Sequence, residues 1–130
     1  MRTPDEANER DDLVDWSAPL IADCLGLAYR TCLGDDERLI NHFAKQHGLV
    51  WMCAVGGDRG QTTESQRALG ELATLCRLSD EVLETIDNLV LDELTEVVSR
   101  RYQGSPAKTR AYSRILIDAA SVLTRTRVAA

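Results

Sequence analysis

Two histidines and four cysteines are the side chains of this sequence that could bind a metal ion or a haem iron. His42 and His47 lie five residues apart in the segment NHFAKQHG. A helix directs side chains four residues apart to one face, so this spacing places the two imidazoles on different faces. A solvated position on the helix surface is expected for each histidine, with a role as a single haem ligand as the alternative. No shared metal site is predicted, and no cofactor is expected.

The four cysteines form no C-x-x-C pair, which excludes a zinc knuckle and a thioredoxin-type motif. They stand among Leu, Ala and Met residues, and we expect them to be small buried hydrophobic side chains. They are Cys24, Cys32, Cys53 and Cys76.

A glycine-rich stretch, GLVWMCAVGGDRGQTT over 48–63, has the look of a strand followed by a phosphate loop. A Walker loop needs G-x-x-x-x-G-K-[ST], but Gln61 stands where the lysine is required and Val55 where the first glycine is required. The G-x-G-x-x-G spacing of dinucleotide sites is also missing. We therefore interpret 49–55 as a buried helical segment that continues past Gly48, with a strand as the alternative.

No serine or cysteine is marked by its local sequence as a catalytic nucleophile. The ingredients of a Ser-His-Asp or Cys-His site are all present in the composition, but no motif brings them together. We expect a protein without enzymatic activity.

The elements that must position these residues are helices. Apolar residues recur at helical spacing through most of the chain, and Ser, Asp, Pro and Gly stand at the expected ends. The pattern predicts an all-α fold, a compact bundle of four to five helices with short turns. The predicted helices begin at Ser17, Asp35, Thr62 or Thr63, Ser79 and Ser105, and Gly34 and Gly104 end the first and fourth.

The chain of 130 residues fits one domain. We assign residues 1–12 to a flexible N-terminal segment and 13–130 to a single helical domain. The acidic start is unlike a signal peptide, and no apolar run reaches the roughly 20 residues of a membrane span. The sequence thus predicts a soluble cytoplasmic protein that makes no contact with a membrane.

Charge is distributed unevenly along the chain, although the net charge is only −6. From residue 99 onward seven basic residues stand against one acid, whereas residues 1–98 carry twenty acids and eight bases. This basic end is a candidate surface for a protein partner, a second copy or nucleic acid. Its candidate residues are Arg100, Arg101, Lys108, Arg110, Arg114 and Arg125.

Residues 66–88, which overlap the segment SQRALGELATLCRLSDEVLETID at 65–87, resemble the helix-turn-helix of bacterial transcription regulators. Ala73 occupies the small position of the first helix, Leu78 is the apolar turn residue, and Ser79 caps the second helix. Arg77 replaces the usual turn glycine. The second helix has four carboxylates and no base, which is opposite to the charge that binds DNA phosphates.

These patterns favour a small regulatory or interaction protein that acts through helix-mediated association, with a protein partner and a homodimer expected. The first alternative is a helix-turn-helix transcription regulator, or a regulator subunit, that binds DNA. The second is a helical, globin-like haem sensor that uses His42 or His47.

Overall fold

A computed structural model of the chain describes residues 4–57, 67 and 79–129. The described residues form four helices and no strand, which confirms the predicted all-α bundle. The helices are α1 (Pro4–Leu33), α2 (Glu37–Gly56), α3 (Asp80–Arg101) and α4 (Pro106–Ala129).

Helix α1 begins at Pro4, so the start predicted at Ser17 is wrong, and residues 4–12 belong to the helix. Ser17 lies inside the helix, where its hydroxyl donates a hydrogen bond to the backbone carbonyl of Leu13. Pro19 also lies inside it. The extension is held by burial, because Leu13 is in the core and Arg10 donates to the Val55 carbonyl at the end of α2 at 2.8 Å.

Helix α2 begins at Glu37, two residues after the predicted start at Asp35, and continues past Gly48 as expected. The Asp36 side chain caps it by accepting from the Leu39 amide at 3.3 Å. Residues 49–55 are helical, as expected, and the alternative of a strand is wrong. Val50, Trp51 and Val55 are fully buried, so the apolar face of this segment continues the helix past the glycine.

The hairpin of α3 and α4 also follows its predicted caps. Ser79 accepts from the Val82 amide at 3.3 Å, and Ser105 accepts from the Lys108 amide at 3.3 Å. Pro106 is the first residue of α4, a position at which its missing amide hydrogen is not needed.

The contacts between helices define one end of the bundle. Asp12 near the start of α1 contacts both Tyr102, just after α3, and Tyr112 near the start of α4. Arg10 contacts the end of α2 at the same level. Helix α1 lies beside α2 and α3, and α4 lies beside the same two helices. The two helices in each of these four neighbouring pairs are therefore antiparallel.

The core contains residues from all four helices, with Trp51 the largest fully buried side chain. The helical spacing of the sequence predicts that Leu83, Ile86, Val90, Leu94 and Val97 form the apolar stripe of α3. The first four are buried, but the last buried residue is Val98 and not Val97. The predicted third helix and Gly60 lie outside the described residues. Within the described part of the chain, no helix is long and apolar enough to span a membrane.

The α1–α2 turn gives a test of local backbone geometry. Gly34 has a φ of +69°, which costs a side-chain-bearing residue about 1–2 kcal/mol. We expect Gly34→Ala to lower the free energy of unfolding by about that amount, measured by urea denaturation. Gly104→Ala is the control, because Gly104 has no positive φ and an added Cβ would meet no atom within 4 Å. Equal losses in both variants would contradict this account.

Candidate functional site

An apolar groove lies between α1 and α3 on the surface of the described residues. Two adjoining cavities of about 460 and 420 Å³ share Ala28, Thr31 and Leu89 and form one continuous channel. We call it the α1/α3 groove. Its floor consists of side chains four residues apart on each helix, namely Leu20, Cys24, Ala28 and Cys32 of α1 with Val82 and Ile86 of α3.

Exposed side chains form the two rims of the groove. Leu27 and Leu89 are the large apolar ones, with 68% and 52% of their surface exposed. The rim of α1 contains Asp23, Leu27 and Thr31, and the rim of α3 contains Glu81, Thr85, Leu89 and Glu93. The described residues that line the groove thus include three carboxylates and no basic group.

The helical spacing of apolar residues predicts a single apolar face on α1, and no groove. This face contains Leu20, Ile21, Cys24, Leu25, Ala28 and Cys32. In the structure that face divides, and its outer row becomes the groove floor. The width of this apolar face is the signal in the sequence that could have indicated the groove. A stripe that only faces the core does not need apolar residues at 20 and 27 in addition to those at 21, 24 and 25.

The cysteines differ in exposure. Cys53 is buried as predicted, Cys24 is half-buried, and Cys32 is exposed, so burial of Cys32 was wrongly expected. Burial, together with the nearby charge of Glu93, raises the pKa of the Cys24 thiol. Cys24 therefore presents a neutral, weakly polar surface to the groove. Cys76 lies outside the described residues.

His47 is not a surface residue but the centre of a buried polar network. It is fully buried, and both ring nitrogens have partners. Nδ1 pairs with the Tyr29 hydroxyl at 2.7 Å, and Nε2 pairs with Oδ1 of Asp87 at 2.7 Å. The same oxygen accepts from Trp51 Nε1 at 3.1 Å. Both ring nitrogens of His47 and the indole N–H of Trp51 thus have hydrogen-bond partners inside the core.

This geometry bears on the haem hypothesis. An iron bound by His47 would displace either Tyr29 or Asp87 from a ring nitrogen inside the core. His42 lies on the opposite face as the spacing predicts, exposed, with its ring centroid 5.5 Å from that of Phe43. Among the described residues no three His, Cys, Asp or Glu side chains are placed to hold a metal ion.

Of the basic candidates, Arg100, Arg101 and Lys108 lie at the end of the bundle where α3 meets α4. Arg101 lies over the Trp16 ring at 5.3 Å from its centroid, and Lys108 lies over the Tyr102 ring at 5.8 Å. Arg100 is exposed, with its Nη1 3.8 Å from Glu96 Oε1. Arg110 and Arg114 are exposed on α4, and Arg125 lies in α4 with its side chain outside the described part.

One acidic residue of α1, Asp12, faces this basic end. Both Tyr102 and Tyr112 donate to Oδ2 of Asp12, at 2.7 and 2.9 Å. Burial opposes ionisation of Asp12, but these hydrogen bonds and the charges of Arg101 and Lys108 outweigh it, and the pKa of Asp12 is lowered. Burial and the hydrogen bond to Asp12 raise the pKa of Tyr102 and of Tyr112.

The segment that resembles a helix-turn-helix lies mostly outside the described residues. Of 66–88, only Arg67 and 79–88 are described. In the described part, Asp80, Glu81 and Glu84 are exposed and Asp87 is buried. Three exposed carboxylates on this helix would repel DNA phosphates.

Comparison of the chain with protein-family models, with curated proteins and with solved structures finds no match.

The buried network gives a stability prediction. Asp87→Ala would leave two buried polar atoms, Nε2 of His47 and the N–H donor of Trp51, without their hydrogen-bond partner. Each such loss costs about 1–3 kcal/mol, so we expect the free energy of unfolding to fall by at least about 2 kcal/mol in a denaturant titration. Asp92→Ala on the same helix is the control, because Asp92 is exposed and its loss should change stability by less than about 0.5 kcal/mol. A loss for Asp87→Ala no greater than that would show that the network does not stabilise the fold.

A second prediction concerns pH. Because the pKa of Asp12 is lowered on folding, its contribution to stability is present above the usual Asp pKa of about 3.9 and is lost as pH falls through the folded-state pKa. We expect Asp12→Asn to be less stable than the wild type at neutral pH and the difference to shrink as the pH is lowered below about 4. Urea denaturation from neutral to acid pH measures it, with Asp15→Asn, at an exposed position of α1, as the control for loss of one charge. A difference that stays constant with pH would contradict the assignment.

Proposed function

We propose that this protein is an interaction module that binds one helix of a partner protein in the α1/α3 groove. The observation that carries the proposal is the exposure of Leu27 and Leu89 on facing rims above an apolar floor. A contiguous exposed apolar surface with polar residues at its edges is typical of a protein-binding site.

The shape of the groove favours a helix as its occupant. The lining rows run along about three turns of each helix, from Leu20 to Cys32 on α1 and from Glu81 to Glu93 on α3. An amphipathic helix laid in such a channel places side chains at the i, i+3, i+4 and i+7 positions between the rims. A small ligand would leave most of this open channel unfilled, since ligand pockets bury most of the surface of the ligand.

Charge favours a different protein over a second copy in this groove. A two-fold contact between two grooves would bring Asp23, Glu81 and Glu93 of both copies together, and like charges oppose association. The outer face of α4 has the opposite charge, but its one large exposed apolar side chain in the described residues is Ile117. We place the module in the cytoplasm, where Cys24 and Cys32 would remain reduced.

The test is a display library of helical peptides selected on the wild-type protein, with the affinity of each purified peptide then measured by fluorescence anisotropy. Leu89→Glu should weaken binding at least about tenfold, because it removes an apolar contact and places a carboxylate in the interface. Ile117→Glu is the matched control, because Ile117 has the same exposure of 52% but lies on the α3/α4 side of the bundle. Its affinities should equal those of the wild type.

Two outcomes would overturn the proposal. One is a selection that yields no binder, and the other is a set of binders whose affinity Leu89→Glu leaves unchanged. Sedimentation equilibrium provides a further arm: a wild-type dimer that Leu89→Glu dissociates and Ile117→Glu does not would assign the groove to a second copy.

A further inference from the structure

We infer that the helix bound in the α1/α3 groove is basic at both ends of its contact face and apolar between them, with the two basic positions about three turns apart. This inference rests on the proposed function, because it specifies the chemistry of the occupant of the same groove.

The position of each carboxylate along the groove follows from the directions of the two helices. Helices α1 and α3 are antiparallel, so Glu81 lies at the end of the groove near Cys32, and Glu93 lies at the end near Asp23 and Cys24. Leu27, Ala28 and Leu89 lie between these ends. Negative charge is thus found at both ends of the groove and apolar surface in its middle.

The negative charge of Glu93 lies at the groove itself. The charge of Glu93 contributes to the raised pKa of Cys24, which places this carboxylate close to the groove floor. A basic group seated there would therefore meet a carboxylate at the edge of an apolar surface, where charge attraction is less screened than on an open face. Lys and Arg suit this position because their long apolar stems can cover the leucines while the charged ends reach the rim.

The distance between the carboxylates of the groove sets the distance between the basic residues of the bound helix. Glu81 and Glu93 are twelve residues apart on α3, which corresponds to about 18 Å at 1.5 Å per residue. Two side chains on one face of a bound helix span nearly the same distance when they are about eleven residues apart. The complementary face therefore has basic residues at i and i+11 and large apolar residues at i+4 and i+7.

The experiment uses three synthetic Ala-rich peptides of about 18 residues, a length at which such sequences form helices. All three have Leu at i+4 and i+7, and they differ only at i and i+11, which are Lys in the first, Gln in the second and Glu in the third. Binding to the full chain is measured by fluorescence anisotropy at low and high salt. We expect the Lys peptide to bind at least about tenfold more tightly than the Glu peptide, with the Gln peptide between them, and the differences to shrink at high salt.

Charge reversal of the groove provides the reciprocal test. The combined variant Asp23→Lys, Glu81→Lys and Glu93→Lys should prefer the Glu peptide. The control variant Asp15→Lys, Glu84→Lys and Asp92→Lys changes net charge equally at exposed positions of the same two helices that do not line the groove. It should keep the preference for Lys.

The outcomes separate the two proposals. Equal affinity for all three peptides, lost in Leu89→Glu, would overturn the inference about charge and leave the helix-binding function standing. Weak binding of all three that Leu89→Glu does not change would count against both. A Lys preference that the control variant reverses as fully as the groove variant would show attraction to net charge alone and would also overturn the inference.

Discussion

The arrangement of three helices depends on one buried carboxylate oxygen, Oδ1 of Asp87 in α3, which pairs with both His47 and Trp51 of α2. Helices α2 and α3 lie diagonally across the bundle, so few other described contacts join them. The second ring nitrogen of His47 extends the network to Tyr29 of α1. Buried polar groups require their hydrogen-bond partners, and only one register of the three helices supplies them all.

That register also sets the α1/α3 groove. On α1, Tyr29 of the network directly follows Ala28 of the groove floor, and on α3, Asp87 of the network directly follows Ile86 of the groove floor. The network and the groove therefore share the same two helices. A slip of either helix by one turn would break the network and move Leu27 away from Leu89. The polar core therefore holds the apolar surface in place, although no atom of the network lines the groove.

Local signals made much of the fold predictable. Ser79 and Ser105 cap their helices as expected, and Gly34 ends α1, because caps and helix stops are decided by a few neighbouring residues. The start of α1 was not predictable in this way. The capping signal at Ser17 is overridden by burial of Leu13 and by the contact of Arg10 with the end of α2, both of which depend on helices distant in sequence.

The site was harder to predict than the fold, because each of its parts has an ordinary local explanation. His47 and Asp87 are forty residues apart, and Asp is a residue type that is mostly exposed, so no local signal in the sequence predicts their buried contact. In the sequence, the outer row of α1 cannot be separated from its core stripe, and the two together predict one apolar face.

The charges show the same limit. The sequence indicates that acids and bases are separated along the chain, but only the folded arrangement pairs the basic end with Asp12 of α1. In the folded arrangement the carboxylates of the groove have no basic neighbour among the described lining residues. A surface whose charge is not balanced within the molecule is the one whose charge can select a partner.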